Sequence, residues 1–285
     1  MKKILSILAL TLVLVSCKKN PETLSLPSVA ESQKTDITRI VSLNGAITET
    51  LAALNVANNI VGKDVTSTFP TNLKAIDLGH VRSISAESIL ALKPTVVFGT
   101  TKEVNPTVTN QLKKANVSLV LINQEYSVIG TKNLITQIAS TIKNKNYQPL
   151  IDEISNKTAT IETFAKKPKV LFIYARGAGN LMVAGKETPL HSIIELAGAE
   201  NAASALTDFK PLTPEALLTT NPDVILMFDS GLQSLGGING LLKIEGVTAT
   251  NAGKYKKIIA MDGHLLSGFG PRLGDAVIQL HNKLK

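Results

Sequence analysis

Residues 85–98 read SAESILALKPTVVF, and residues 213–226 read TPEALLTTNPDVIL. Glu87 and Glu215, and likewise Pro94 and Pro222, stand the same 128 positions apart. Each string offers a Ser or Thr to cap a helix, an acid in its first turn, a short apolar-faced helix, a proline stop and a β-branched strand. Upstream, Arg39–Leu43 (RIVSL) and Lys169–Ile173 (KVLFI) are buried-strand runs that open the two halves. A repeat of this kind predicts an α/β protein made of two similar lobes.

Between the halves, Ile135, Ile138, Ile142, Leu150, Ile151, Ile154, Ile161 and Phe164 recur at helical spacing. Pro149 suits the first turn of a new helix. One helix therefore ends near Lys145, and a second, about 30 Å long, covers roughly 148–166. A single long helix joining two lobes is a stiff connector that permits little opening. The organisation expected is an N-terminal lobe over 37–146, a linking helix over 147–167 and a C-terminal lobe over 168–285. Two such lobes turn the carboxyl ends of their strands toward a shared cleft, where open α/β sheets bind ligands. The loops expected to line it are 43–48, 64–69, 79–84, 99–105, 174–190, 207–213, 229–240 and 263–272.

The remaining N-terminal residues read as a targeting segment. Lys2 and Lys3 precede the apolar run Ile4–Val15 (ILSILALTLVLV), 12 residues long, too short to span a bilayer but suited to a secretion signal. Leu14-Val15-Ser16-Cys17 resembles the bacterial lipobox. That resemblance implies a signal peptide over 1–17, lipidation of Cys17 after cleavage, and an extracytoplasmic protein held on the cell membrane by its lipid. Residues 18–36, poor in large apolar groups, read as a flexible tether. The lone cysteine rules out a disulfide framework and a cysteine-cluster zinc site.

Composition narrows the function classes. At 285 residues and 44% hydrophobic, the chain buries substantial cores. Its formal net charge of +8 is spread over a charged fraction of only 18%, too dilute for a dedicated nucleic-acid binder. Beyond residue 17 the balance is 28 basic against 22 acidic residues, or +6, which suits an anionic ligand or an anionic surface. No Gly-x-Ser-x-Gly or His-Glu-x-x-His string occurs, and no cysteine nucleophile remains once Cys17 is lipidated. The chain reads as a binder and not an enzyme.

The loops supply candidate binding groups. In Leu78–Ser83 (LGHVRS), His80 and Arg82 stand two apart at the expected cleft mouth. An imidazole can ligate iron or another transition metal, and a guanidinium can clamp a carboxylate through two hydrogen bonds. Thr188 and Pro189 predict a helix start that puts His191 in the first turn, where the dipole favours the neutral, ligand-competent imidazole. Asp262–Arg272 (DGHLLSGFGPR) adds His264, Phe269 between two glycines, and Arg272. His281 reads as a surface residue of the terminal helix. A free Zn or Mn ion is disfavoured, since such sites need several converging ligands.

Over roughly 37–285 the chain resembles the haemin-binding substrate-binding proteins of ABC importers, in the helix-linked class that also serves vitamin B12 and siderophores. The strings DLGHVRSISAESILALKPTVVF and MDGHLLSGFGPR carry that resemblance most specifically, and RIVSLNGAITETLAAL is common to the wider class. The resemblance implies haem as the transported ligand, a monomer, and a permease dimer as partner, with no nucleic acid involved. Where the family writes Gly-Tyr-Val-Arg, with the tyrosine as axial iron ligand, this sequence has Gly79-His80-Val81-Arg82. His80 thus takes the ligand position with a softer donor than tyrosinate. Arg82 and Arg272 are the implied propionate contacts, Phe269 an implied porphyrin contact, and His191, or less favourably His264, the opposite axial ligand. Glu87 and Glu215 are the implied permease-docking acids, one per lobe. The same fold could instead take a corrinoid or a ferric siderophore, or serve as a surface haem scavenger without a transporter.

Overall fold

The computed structural model describes residues 37–285; the expected signal peptide, Cys17 and the tether lie outside the described residues. The first sheet contains β1 (Ile40–Ser42), β2 (Ile60–Lys63), β3 (Ile76–Asp77), β4 (Val96–Thr100) and β5 (Ser118–Ile122), in the spatial order β3-β2-β1-β4-β5. All its pairings are parallel. The helices of this lobe are α1 (Gly45–Ala53), α2 (Ala86–Ala91), α3 (Pro106–Lys114) and α4 (Val128–Thr141), and α5 (Gln148–Ala159) follows.

The second sheet contains β6 (Lys169–Ala175), β7 (Leu181–Ala184), β8 (Glu200–Asn201), β9 (Phe209–Pro211), β10 (Val224–Phe228) and β11 (Ile258–Met261), in the order β11-β10-β6-β7-β9 with β8 also on β6. Its helices are α6 (Pro189–Leu196), α7 (Pro214–Thr220), α8 (Asp229–Ser234), α9 (Ile238–Leu241), α10 (Asn251–Lys254), α11 (Gly263–Ser267) and α12 (Leu273–Leu284). The two-lobed α/β architecture read from the sequence is the one observed. The repeat holds down to register: Ile40 and Val41 pair with Val96 and Val97, as Val170 and Leu171 pair with Val224 and Ile225. The repeated helices begin alike, with Ser85 accepting the Ser88 N–H at 3.2 Å and Thr213 accepting the Ala216 N–H at 3.1 Å.

The lobes differ on the far side of β6. There the chain turns back through Gly177, at a φ of 70° that favours glycine, and β7 and β9 run antiparallel. The stretch 174–190, expected as one cleft loop, thus contains strand β7.

The connecting helix is also shorter than expected. It stops at Ala159, giving a rod of about 18 Å, since 12 residues rise 1.5 Å each. Thr158 and Thr160 bind back to carbonyls of the last turns at 2.8 Å and help end it. Ile161 and Phe164 therefore share their spacing without sharing a helix; Phe164 stacks on His281 with ring centroids 4.8 Å apart. His281, read as a surface residue, is 3% exposed, and its Nδ1 lies 2.9 Å from the Ala197 carbonyl.

The stiffness expected of a long rod comes instead from a two-helix clamp and a wedge. α12 packs along α5, where Lys157 bridges Glu153 at 2.6 Å and Asp275 at 2.5 Å. One continuous apolar cluster runs from Ile40, Phe98 and Ile138 through Ile154 to Phe172, Ile194 and Leu280, so both lobes share a core. Residues 36–285 form one compact unit.

The wedge is the segment Gly268–Arg272. Phe269 is 1% exposed and meets Tyr126 edge-on at 5.4 Å. The Gly268 carbonyl accepts from Gln124 at 2.9 Å, and the Phe269 carbonyl accepts from Thr131 at 3.2 Å. A side chain at Gly270 would sit 3.2 Å from the Ala46 Cα, so this close approach to α1 favours glycine. Replacing Phe269 by Ala should lower unfolding free energy by about 3–5 kcal/mol, seen as a drop in the urea midpoint. Phe269→Leu should cost less than about 1.5 kcal/mol.

Candidate functional site

Both sheets point their strand ends toward one groove. The larger of its two adjoining cavities, about 830 Å³, is lined by Tyr174, Ala175 and Arg176 at the end of β6, Phe228–Ser230 after β10, and Asp262–His264 after β11. Thr66 of the first lobe lines it as well. The smaller, about 190 Å³, is lined by Asn44–Ala46, Glu49, Thr66, Glu103, Gln124, Tyr126 and again His264. These are mostly the strand-end loops picked from the sequence, with 124–126 added.

The walls mix aromatic and polar groups. Phe228 packs edge-on to Tyr174 at 6.2 Å, and the Arg176 guanidinium lies 5.8 Å from the Tyr174 ring centre. On the facing loop Val65 and Phe69 are exposed apolar residues. Glu103 accepts from Asn44 at 3.1 Å and from Thr100 at 2.9 Å. Burial pushes the Tyr126 phenol above its ordinary pKa; the Glu103 carboxylate adds to that, and the Arg82 guanidinium opposes it.

His80 sits on the rim and is exposed, outside the residues that line either cavity. Its loop is tied to the groove, because the Gly79 carbonyl accepts the Val65 N–H at 2.9 Å, next to Thr66. Gly79 holds a φ of 86° with its N–H on Asp77 at 2.8 Å, a turn geometry that favours glycine. The His80 Nδ1 accepts the Arg82 N–H at 3.3 Å and starts a short 3-10 turn over Val81–Ser83. Metal binding through Nε2 would put the proton on Nδ1 and break that bond. Arg82 is exposed and close enough to act on Tyr126.

Three of the expected contacts need correction. Phe269 cannot cover a ligand face, because it is buried between the lobes. Arg272 is not free to receive a carboxylate: it holds Glu49 through Nε at 3.0 Å and a second nitrogen at 2.5 Å, and its guanidinium lies 4.0 Å over the Phe69 ring. Glu49 raises the Arg272 pKa accordingly. His191 occupies the predicted first turn of α6, with Thr188 capping its N–H at 3.2 Å. Its ring, however, meets Asn201 at 3.2 Å and lines neither cavity. His264 lines both.

The sequence reading missed Tyr174 and Arg176. The signal was a Tyr-Ala-Arg triplet leaving a buried strand, two polar groups where the hydrophobic run ends. Glu87 and Glu215 lie exposed in the first turns of α2 and α7, on the groove side of each lobe. Hydrogen bonds from its own backbone N–H and from Ser85 hold the Glu87 carboxyl below its usual range. Among the described residues no three His, Cys, Asp or Glu side chains converge as a metal site, and no helix is long and apolar enough to cross a membrane.

Twin lobes crossed once by the chain, with an aromatic and cationic groove at their facing strand ends, define a receptor that captures a solute between its lobes. This chain belongs to the periplasmic binding protein family, whose pattern matches residues 40–265. It is similar to the periplasmic heme-binding protein RhuT from Roseiflexus sp. RS-1 in apo form, at 37% identity and a TM-score of 0.83, covering 86% of this chain and 97% of that one. Similar too is the periplasmic heme-binding protein BhuT in complex with two hemes, at 33% identity and a TM-score of 0.82 over 86% and 97% of the two chains. The periplasmic heme-binding protein HutB of Vibrio cholerae matches at 31% identity and a TM-score of 0.80 over 86% and 98%. An uncharacterized ABC transporter substrate-binding lipoprotein, YvrC of Bacillus subtilis (strain 168), is 26% identical over 250 residues, 85% of this chain and 78% of that one.

The raised Tyr126 pKa has a testable sign. Folding favours the neutral phenol, so its stabilising contribution is complete below the unfolded tyrosine pKa of about 10 and is lost as pH rises through the higher folded value. In a near-UV absorbance titration, Tyr126 should give a component that ionises above the ordinary tyrosine pKa of about 10. Tyr126→Phe should remove that late component, and Arg82→Ala should delay it further.

Proposed function

We propose that this protein is an extracytoplasmic lipoprotein, anchored at Cys17, that captures haem in its groove as a monomer and delivers it to an ABC importer. The observation that carries the reading is the groove itself. A cavity of about 830 Å³ brings Tyr174 and His264 together from one lobe, with His80 on the rim of the other. The three heme-binding relatives described above share its fold over most of the chain.

The roles follow from placement. His80 approaches the iron from the first lobe. Tyr174 is the better opposite ligand, because it stands at the groove end of β6 and tyrosine is an established haem-iron ligand. His264, half-buried between the two cavities, is the alternative from the same lobe. Arg82 and Arg176, both exposed at the groove, receive the propionates. Val65, Phe69 and Phe228 supply the apolar and aromatic surface first sought at Phe269. The protein binds its cargo without transforming it.

Haemin titration tests the cargo and its ligands. The wild type should give a saturable Soret band. His80→Ala and Tyr174→Phe should each shift that band and weaken binding by at least about tenfold. An unchanged spectrum in His80→Ala would remove the role assigned to that residue, and native mass measurement of protein from its host would expose a corrinoid or siderophore instead.

Glu87 and Glu215 dock one lobe each on the permease. The charge-reversed double variant Glu87→Arg/Glu215→Arg should keep haem binding and lose uptake. Undiminished uptake in that variant would point to a scavenger that works without a transporter.

A further inference from the structure

The pole opposite the groove, where the strands begin, gathers positive charge. Lys166, Lys167 and Lys169 lead into β6, while Lys254, Lys256 and Lys257 lead into β11, and all six are exposed. They come from two stretches of chain that fold around Asp223: its carboxylate accepts the Lys169 N–H at 3.0 Å, and Lys166, Lys167 and Lys257 line with it a surface hollow of about 420 Å³. Tyr255 stands 74% exposed among them. The cleft side mixes Glu87, Glu215, Asp229 and Asp262 with Arg82 and Arg176, so the dense block of cations belongs to the strand-start pole.

The described chain also begins on this pole. Thr38 donates to Thr95 at 3.2 Å, just before β4, and Asn59, just before β2, donates to the Ile37 carbonyl at 3.1 Å.

We infer that this lysine face with Tyr255 is a docking surface for an anionic lipid bilayer, which holds the anchored protein with its groove facing away from the membrane. Lysines near an anionic leaflet each strengthen adsorption by about fivefold, and a tyrosine with an apolar body and a polar tip suits the headgroup layer. In this resting pose the groove is free to load. Docking on a permease then requires the body to turn over, which the adsorption must be weak enough to allow. The inference goes beyond the proposed cargo; it takes the anchor from the proposed function, and the vesicle test below needs neither.

The test uses residues 37–285, which contain both sheets and their shared core and lack the only cysteine. The body should sediment with phosphatidylcholine vesicles containing phosphatidylglycerol, not with phosphatidylcholine alone, and should be released by high salt. The triple variant Lys166→Gln/Lys167→Gln/Lys257→Gln should bind at least about tenfold more weakly, with an unchanged thermal midpoint because these side chains are exposed.

An environment-sensitive dye placed by Tyr255→Cys should respond to the anionic vesicles, and one placed by Ser230→Cys at the groove should not. Equal binding to neutral vesicles, salt-resistant binding by the wild type, or a response only at position 230 would overturn the proposal. Retention on a soluble polyanion without vesicle binding would overturn it in favour of that partner.

Discussion

Arg272 reaches from the start of the last helix across to Glu49 on the first helix of the other lobe, and the fork it forms there is largely sheltered from water: its side chain is 27% exposed and that of Glu49 10%. A pair so enclosed contributes only if both charges keep their partners, since removing one strands the other in a poorly solvated place. Phe269 beside it fills the interlobe core, and the Gln124 and Thr131 side chains hold the intervening backbone. Geometry at the groove depends on this tie, because Ala46, Glu49 and Gly268 themselves form the floor of the smaller cavity. The α5–α12 clamp continues the same contact, its Lys157–Asp275 bridge lying one helical turn from Arg272. Capture therefore has to come from the groove's own chemistry and loop adjustment more than from closure of hinged halves.

Most of the architecture was legible because it was written twice. A cap, an acid, a proline and a β-branched strand recurring at one offset is improbable outside a duplicated unit, and local propensity and global fold agree throughout it. Two features were not legible. The helix read to Lys166 ends at Ala159, because Ile161–Phe164 has the spacing of one helical turn while its side chains pack in an extended segment. The antiparallel β7 and β9 escaped notice because a glycine turn and short edge strands carry weak periodic signals.

The site was legible as loops and misread as side chains. Strand-end position is a topological property, so the groove could be placed from order alone. Which way a side chain faces is decided by tertiary packing. Phe269 and Arg272 looked like ligand contacts because they are an aromatic and a cation in a glycine-rich loop, yet Gly270 serves the approach of that loop to α1 and Gly268 its approach to the His264 carbonyl. His191 obeyed every local rule for the start of a helix and then turned to Asn201. Tyr174 was hidden in plain view, as one more large residue at the end of an apolar run.

The electrostatics of the groove follow from the same economy of partners. Several acids near it have a hydrogen-bonding partner: Glu49 has Arg272, Glu103 has Asn44 and Thr100, Asp64 has the Thr66 and Ser67 hydroxyls at 2.5 and 2.7 Å, and Asp262 caps α11 through the Leu265 N–H at 2.7 Å. Asp229 lies in the first turn of α8, where a helix favours negative charge. Arg82 on one lobe and Arg176 on the other have no carboxylate within ion-pair distance among the described residues. With its acids held by hydrogen bonds and an unpaired guanidinium on each facing side, the groove offers an entering ligand two separate points at which a carboxylate can be gripped.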